Sequence, residues 1–446
     1  MTKPFIMDVN ISSKTIDKPS FLVLDCFFEN QQNKIELDYA HLVNKINKPL
    51  NKTDIDMLVI AAVVAFADRK KLRPQKWARQ FKLKIPVYDI DVWQTAHKQL
   101  FDCLNFLTGD RWHFEFIANT FHFENMIEPE LQTIKTSEPV AIIPFSGGLD
   151  SLATLHLFRI HEKHTKPLLI TVNTNHNSRK LSFNTSRIID KLDTRVSVSM
   201  KLSGRLDEIS YRSRVFVFFM VAAITARLSN TQRIIIGENG QGSIGAPLVS
   251  VDYPYHSLHF GFTKRLHDLL SQLWDNAPFF EHPYIWQTKA EVLQLLLSNS
   301  SEIDWNKTIS CSRLRETSIQ CGICSNCLLR RLALTTVGLE NLVSENYLWQ
   351  DLNAPTLEAA LKHTQKNLNT EINIASRAIV SHEQFRKINP SIQSYQQIVC
   401  ELEKAGQQQV EEKINRLIKC HTQEWEQFLN KLNPDSWVVK VALGRA

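Results

Sequence analysis

Short apolar runs set between polar stretches dominate the first third of the chain. Ser20 to Phe28, Ile85 to Ile90 and Trp112 to Phe116 each predict a strand: they are brief, rich in β-branched or aromatic residues, and bounded by polar positions. Thr53 to Lys71 predicts a helix capped by Thr53 or Asp54, and its stretch from Met57 to Ala67 is apolar on nearly every side, the pattern of a helix buried all round. A second helix, Val92 to Leu107, runs into the turn signal Thr108-Gly109-Asp110. Together these predict a small α+β domain over residues 1–137. Its aromatic and acidic residues show no metal or catalytic spacing and read as core and surface.

From residue 138 the pattern becomes a regular alternation. The apolar run Ala141 to Pro144 breaks at Ser146-Gly147-Gly148 and resumes with helical spacing from Leu152 to Phe158. Leu168 to Val172, Val196 to Val198 and Ile234 to Gly237 predict further strands, with helices at Arg187 to Leu192 and Leu206 to Leu228 between them. Strand-helix alternation at this spacing predicts an α/β fold with a doubly wound parallel sheet, whose ligand crevice lies at the carboxyl ends of the strands. Lys289 to Leu297 and Val410 to Leu432 predict amphipathic helices in a mostly helical remainder. The expected domains are thus residues 1–137, 138–334 and a helical extension, 335–446.

Composition narrows the class. Of 446 residues 43% are hydrophobic and 22% charged, an ordinary globular balance, and the formal net charge of +6 permits an acidic partner without arguing for nucleic acid. The amino-terminal residues lack the apolar core of a signal peptide. The longest uncharged apolar run, Val215 to Ala226, lies between Arg214 and Arg227 and falls short of the roughly 20 residues a spanning helix needs. A soluble, cytoplasmic protein with no membrane partner is expected.

The turn after Ala141–Pro144 carries the first candidate chemistry. Gly147 and Gly148 let backbone N–H groups approach an anion, Ser146 and Ser151 add hydroxyls, and the next helix presents its positive end. No lysine follows the glycines, so a Walker loop gripping the outer phosphates is excluded; the turn suits a leaving pyrophosphate, with chemistry at the α-phosphorus. The second candidate is Cys311-x9-Cys321-Gly322-Ile323-Cys324-Ser325-Asn326-Cys327, four of the eight cysteines. This spacing suits a tetrahedral Zn²⁺, with Gly322 easing the turn; an Fe–S cluster uses the same ligands. Four thiolates leave no open position, so the metal is structural, expected to pin the helix beginning near Asn326, with Arg330 and Arg331, against the sheet domain.

Ser146-Gly147-Gly148-Leu149-Asp150-Ser151 resembles the signature of the PP-loop ATP pyrophosphatases, which adenylate a substrate oxygen. Joined to the cysteine pattern, it resembles 7-cyano-7-deazaguanine synthase, the QueC family. Arg212-Ser213-Arg214 resembles that family's Gly-Arg-Asn helix start, and Pro283 to Val292, with Thr288-Lys289-Ala290-Glu291, resembles its Pro-x4-Thr-Lys-x-Glu-Ile segment. The resemblance spans about Val140 to Leu334, and the flanking extensions look like those of long QueC-like proteins in bacterial anti-phage defence systems.

It implies a PP-loop/HUP-like fold, ATP, Mg²⁺ and Zn²⁺ as cofactors, and adenylation of 7-carboxy-7-deazaguanine or an analogue followed by capture with an amine. Ser146, Gly147, Gly148, Leu149, Asp150, Ser151 and Gly237 would bind the nucleotide, Asp150, Arg214 and Lys289 would serve the chemistry, and Cys311, Cys321, Cys324 and Cys327 would hold the metal. The family's Tyr-Gly-Gln is here Thr174 to Arg179, and its substrate loop is replaced by Gly240 to Pro247, so recognition of the acid does not carry over residue by residue. His176, His256, His259 and Asp252 read as loop residues first and as ligands or bases second. Implied partners are a deazapurine substrate and a protein amine encoded nearby; the oligomeric state is open, a homodimer included. A transfer-RNA-modifying enzyme and an idle nucleotide-binding subunit are the rival readings.

Overall fold

The computed structural model describes residues 4–12, 20–74, 78–119, 140–174, 194–208, 210–249, 256–299, 304–311, 313, 319–339, 347–360 and 368–445. His176, Asp252 and the helix expected at Arg187 to Leu192 lie outside them. Contacts divide the chain into two units: Met1–Ser146 with His161–Ile236 and Tyr255–His282, and Gly147–Ile160 with Gly237–Pro254 and Pro283–Ala446.

The first unit holds a sheet of ten strands among the described residues: β1 Phe5–Ile11, β2 Phe21–Phe28, β3 Gln31–Asp38, β4 Gln80–Val87, β5 Arg111–Ala118, β6 Val140–Pro144, β7 Lys166–Thr174, β8 Thr194–Leu202, β9 Arg233–Ile235 and β10 Phe279–Glu281. Their spatial order is β10-β9-β6-β7-β8-β3-β2-β1-β4-β5. Six of the nine neighbouring pairs are parallel, so the sheet is the mostly parallel one expected of an α/β fold. β6 is apolar along its length because both faces are covered, whereas β3 alternates buried Asn33, Ile35 and Leu37 with more exposed Lys34 and Glu36.

The expected boundary near residue 137 does not interrupt this sheet. β3 runs antiparallel to β8, with Ile35 opposite Leu202 and Asp38 opposite Ser199, so the amino-terminal strands and the alternating segment share one hydrogen-bonded ladder. The helix Lys52–Lys70 is buried nearly all round and starts one residue earlier than expected, because Asn51 is its cap: Asn51 Oδ1 accepts from the Asp54 N–H and Asp54 Oδ2 from the Asn51 N–H, both at 2.8 Å. The single helix expected from Val92 to Leu107 is two, Ile90–Thr95 and His97–Thr108, the first capped by Asp89.

The long helix expected from Leu206 is confined to Arg214–Leu228. Residues before it are committed elsewhere: Glu208 accepts from the Arg73 N–H at 2.6 Å, and the Ser213 N–H and hydroxyl both donate to Asp68 Oδ2, at 2.8 and 2.7 Å. Asp68 also pairs with Arg79, which with Arg73 binds Asp110; Asp68, Arg79 and Asp110 are all but inaccessible.

The second unit is helical: Leu149–His161, a π-type turn Gln241–Gly245 followed by Ala246–Val249, then Lys289–Asn299, Ser325–Thr336, Leu368–Arg386, Gln393–Lys404, Val410–Asn430 and Trp437–Ala442. Its core joins the four clustered cysteines to Trp349, Ile379, Trp425 and Phe428. No helix among the described residues is long and apolar enough to cross a membrane.

Removing one partner from a buried charge network strands the others. Asp68→Ala is therefore expected to cost about 3–5 kcal/mol in urea unfolding, whereas Glu36→Ala, which breaks an exposed pair with Lys201, should cost less than about 1 kcal/mol. Equal losses would refute the network's contribution.

Candidate active site and metal centre

The Gly-Gly turn feeds directly into the helix Leu149–His161. Gly147 has a φ of 75°, a backbone that a side chain would strain, and its carbonyl accepts from the Ile309 N–H at 3.1 Å. The Gly148 carbonyl accepts from the Leu152 N–H and from the Ser151 hydroxyl, each at 3.0 Å. Leu149 is buried, and Asp150 occupies the first turn, where the helix dipole favours negative charge. Gly237 backs this helix so closely that a Cβ there would stand 1.7 Å from Thr154 Oγ1.

Asp150 accepts from two side chains. Lys289 Nζ donates to its Oδ2, and Asn239 Nδ2 donates both to its Oδ1 at 3.1 Å and to Glu238 Oε1 at 3.0 Å. The Lys289 side chain is 5% exposed and that of Asp150 24%, so a nearly dry cation faces a half-buried carboxylate. Burial, then the neighbouring Asp150 charge, push the Glu238 carboxyl above the usual carboxylate range, against the lowering pull of Lys289.

Lys289 opens the helix Lys289–Asn299. Thr288 and Glu291 cap it reciprocally, through Thr288 N–H to Glu291 Oε2 at 2.8 Å and Glu291 N–H to Thr288 Oγ1 at 3.1 Å. The backbone N–H of Lys289 donates to Gln241 Oε1 at 2.8 Å. That bond fixes the amide orientation, so Gln241 Nε2 faces His421 Nδ1 at 2.9 Å and Glu424 Oε2 at 3.2 Å. Glu424 Oε1 accepts the Thr288 hydroxyl. Burial lowers the His421 pKa to about 4, leaving a neutral ring whose Nδ1 accepts and whose Nε2 donates to the His382 carbonyl at 3.2 Å. Burial also raises Glu424, to about 7.

Of the residues singled out in the sequence, Gly147, Gly148, Leu149, Asp150, Ser151, Gly237 and Lys289 belong to the second unit, and Asp150 and Lys289 pair directly. Ser146 and Arg214 belong to the first, where Arg214 is exposed with its guanidinium 5.4 Å from the centre of the Phe218 ring. His259 is a cap: its Nδ1 accepts from the Gly261 N–H at 3.0 Å, and burial holds its pKa well below the ordinary value. His256 Nδ1 donates to the Phe106 carbonyl at 2.9 Å. Sequence reasoning missed Glu238, Asn239 and Gln241 as neighbours of the pair; their only signal was their place just after a strand end. His421 and Glu424 gave none, being ordinary positions of an amphipathic helix.

The sulfurs of Cys311, Cys321, Cys324 and Cys327 are buried and lie within 4.8 Å of one another, with Cys321 and Cys327 3.9 Å apart. A tetrahedral Zn²⁺ with Zn–S of about 2.3 Å needs sulfurs roughly 3.8 Å apart, so the four donors fit one such ion. N–H groups of Cys321 and Cys324 point at Cys311 Sγ and Cys321 Sγ, each at 3.4 Å, which favours thiolate. Gly322 has a φ of 88°, the turn expected of it. Arg330, in the helix that follows, is fully buried and donates to Thr308 Oγ1 at 2.6 Å and the Trp305 carbonyl at 3.2 Å, contacts within the second unit.

The stretch carrying Gly237, Lys289 and the cysteines also matches a known family: residues 192–338 fit the family model described as queuosine biosynthesis protein QueC. The chain is QueC-like. It is 23% identical over 240 residues to the 7-cyano-7-deazaguanine synthase of Psychrobacter sp. (strain PRwf-1), an alignment that covers 46% of this chain and 89% of that protein. The Gly-Gly turn precedes the matched family segment, and residues after 338 follow it.

Two measurements check this description. Cys324→Ser should lose bound metal and most of the folding cooperativity of the helical unit, while the wild type carries about one zinc per chain; a metal-free wild type melting normally would contradict it. Glu424 holds its proton more tightly when folded than its ordinary value of 4.5 allows, so its own contribution to stability should slope downward as pH rises from about 4.5 to about 7, opposite to the slope contributed by the neutral His421. Glu291, Arg416 and Cys420 act on the same carboxyl, so the readout is the difference in melting temperature from Glu424→Gln, which should remove that slope.

Proposed function

We propose that the chain adenylates a carboxylate with ATP, releases pyrophosphate, and passes the activated acyl group to an amine. The acid is 7-carboxy-7-deazaguanine or an analogue, in keeping with the synthase it resembles. The observation that carries this reading is the pairing of Lys289 with Asp150 at the mouth of the helix that follows the Gly-Gly turn. The helix end and the glycine backbone favour an anion, and Lys289 supplies fixed positive charge for the departing phosphates. Asp150, steadied by Asn239, is the carboxylate suited to a Mg²⁺ ion, which when bound would offset phosphate charge.

Adenylation turns a carboxylate oxygen, a poor leaving group, into part of AMP. The amine then attacks the acyl carbon, AMP departs with that oxygen, and an amide remains. No covalent bond to the enzyme is needed; orientation and charge neutralisation do the work. Residues beyond the stretch shared with QueC, together with the rewritten segment Gly240 to Pro247, favour an acceptor larger than ammonia, and we assign it to an amine on a partner protein encoded nearby, in an anti-phage setting.

Asp150→Ala should remain folded yet release AMP and pyrophosphate at least about 100-fold more slowly from ATP and 7-carboxy-7-deazaguanine. Undiminished turnover would refute the assignment. Co-expression with neighbouring gene products, followed by intact-mass measurement, should show a deazaguanine-sized addition that disappears with Asp150→Ala; free nitrile product without that addition would make ammonia the acceptor.

A further inference from the structure

We infer that the helix Val410–Asn430 is part of the catalytic apparatus, with Glu424 and His421 acting as positioning residues for Lys289 through Gln241. Its functional consequence rests on the adenylation reading; its geometry does not. The amide of Gln241 is fully spent: Oε1 takes the Lys289 backbone N–H, and the two Nε2 protons go to His421 Nδ1 and Glu424 Oε2. Glu424 divides its oxygens between Gln241 and the Thr288 hydroxyl, the same hydroxyl that caps the Lys289 helix. One carboxyl group thereby ties the segment that supplies Asn239 to the segment that supplies Lys289, and Asp150 is held by both. From about two turns earlier on this helix, Arg416 grips Glu291, the other half of the cap.

Packing alone would be served by apolar residues here, since a buried carboxyl group is costly unless every bond is made. The helix also lies beyond residue 338, where the family match ends, so the likeness to QueC does not account for it. Cutting the tie frees the Lys289 end of the helix to shift relative to Asn239, and small misplacements at a reacting centre reduce rate more than affinity.

The test uses the full-length protein. Hydrogen exchange at the Lys289 amide is read by fragmentation mass spectrometry, alongside pyrophosphate release, for the wild type, Glu424→Met, Glu424→Gln, His421→Leu and Trp425→Phe. The last is the control: it removes a bond from Trp425 Nε1 to Glu383 Oε1, 2.9 Å, on the same helix without touching Gln241 or Thr288. Glu424→Met and His421→Leu should each speed exchange at Lys289 about tenfold and lower kcat about tenfold, with KM for ATP within about twofold. Glu424→Gln, which keeps an acceptor, should recover most of both, and Trp425→Phe should change neither. His421→Leu decides the matter if Glu424→Met fails to fold. The inference is overturned if the Lys289 amide is as protected in those variants as in Trp425→Phe. A wild type that releases no pyrophosphate would end the adenylation reading, while the exchange comparison would still decide the positioning.

Discussion

A lysine kept almost entirely out of water must be matched by a carboxylate and by fixed dipoles, and this constraint organises the second unit. Lys289 and Asp150 come from helices far apart in the chain, so each helix start has to be held where the other can meet it. Desolvated charges are tolerated only when their remaining bonds are made. Asn239 answers for Asp150, Gln241 answers for the backbone at Lys289, and the helix Val410–Asn430 answers for Gln241. The cysteine cluster lies in the same core as Trp425 and Phe428 of that helix, so a metal there would brace the scaffold without entering the chemistry.

Much of this was legible. Strands of continuous apolar residues, the all-round burial of the helix Lys52–Lys70, the Gly-Gly turn and the cysteine spacing are local patterns, and local patterns survive folding. What was hidden depends on partners. Nothing in the period of β3 says that it pairs with β8, and nothing in the amphipathic run from Val410 says that His421 and Glu424 turn toward Gln241 and Thr288. Boundaries moved where a distant side chain intervened: Asp68 holds Ser213, and the helix waits until Arg214. Asn51 was overlooked as a cap because Thr53 and Asp54 compete for that role on composition alone.

The likeness to QueC covers the middle of the chain, whereas the ties around Lys289 extend to its far end. Chemistry and substrate choice can part company in such an arrangement. The Gly-Gly turn resembles the family signature, whereas the helical segment from Gly240 to Pro247, which departs from the family pattern, is held by residues the family segment does not contain.

The junction of β3 with β8 bears on how the protein is made. The Lys34 N–H closes on Ser203 Oγ across 169 residues of chain. At about 5–20 residues per second, a ribosome that has finished β3 needs roughly 10–30 s to deliver its neighbour. Throughout that interval β1 to β3 offer an unpaired edge, the kind of surface on which nascent chains aggregate. Ile35 and Leu37 on β3 are fully buried once the sheet closes, and Lys34 and Glu36, which alternate with them, are the charges that discourage a wrong strand from arriving first.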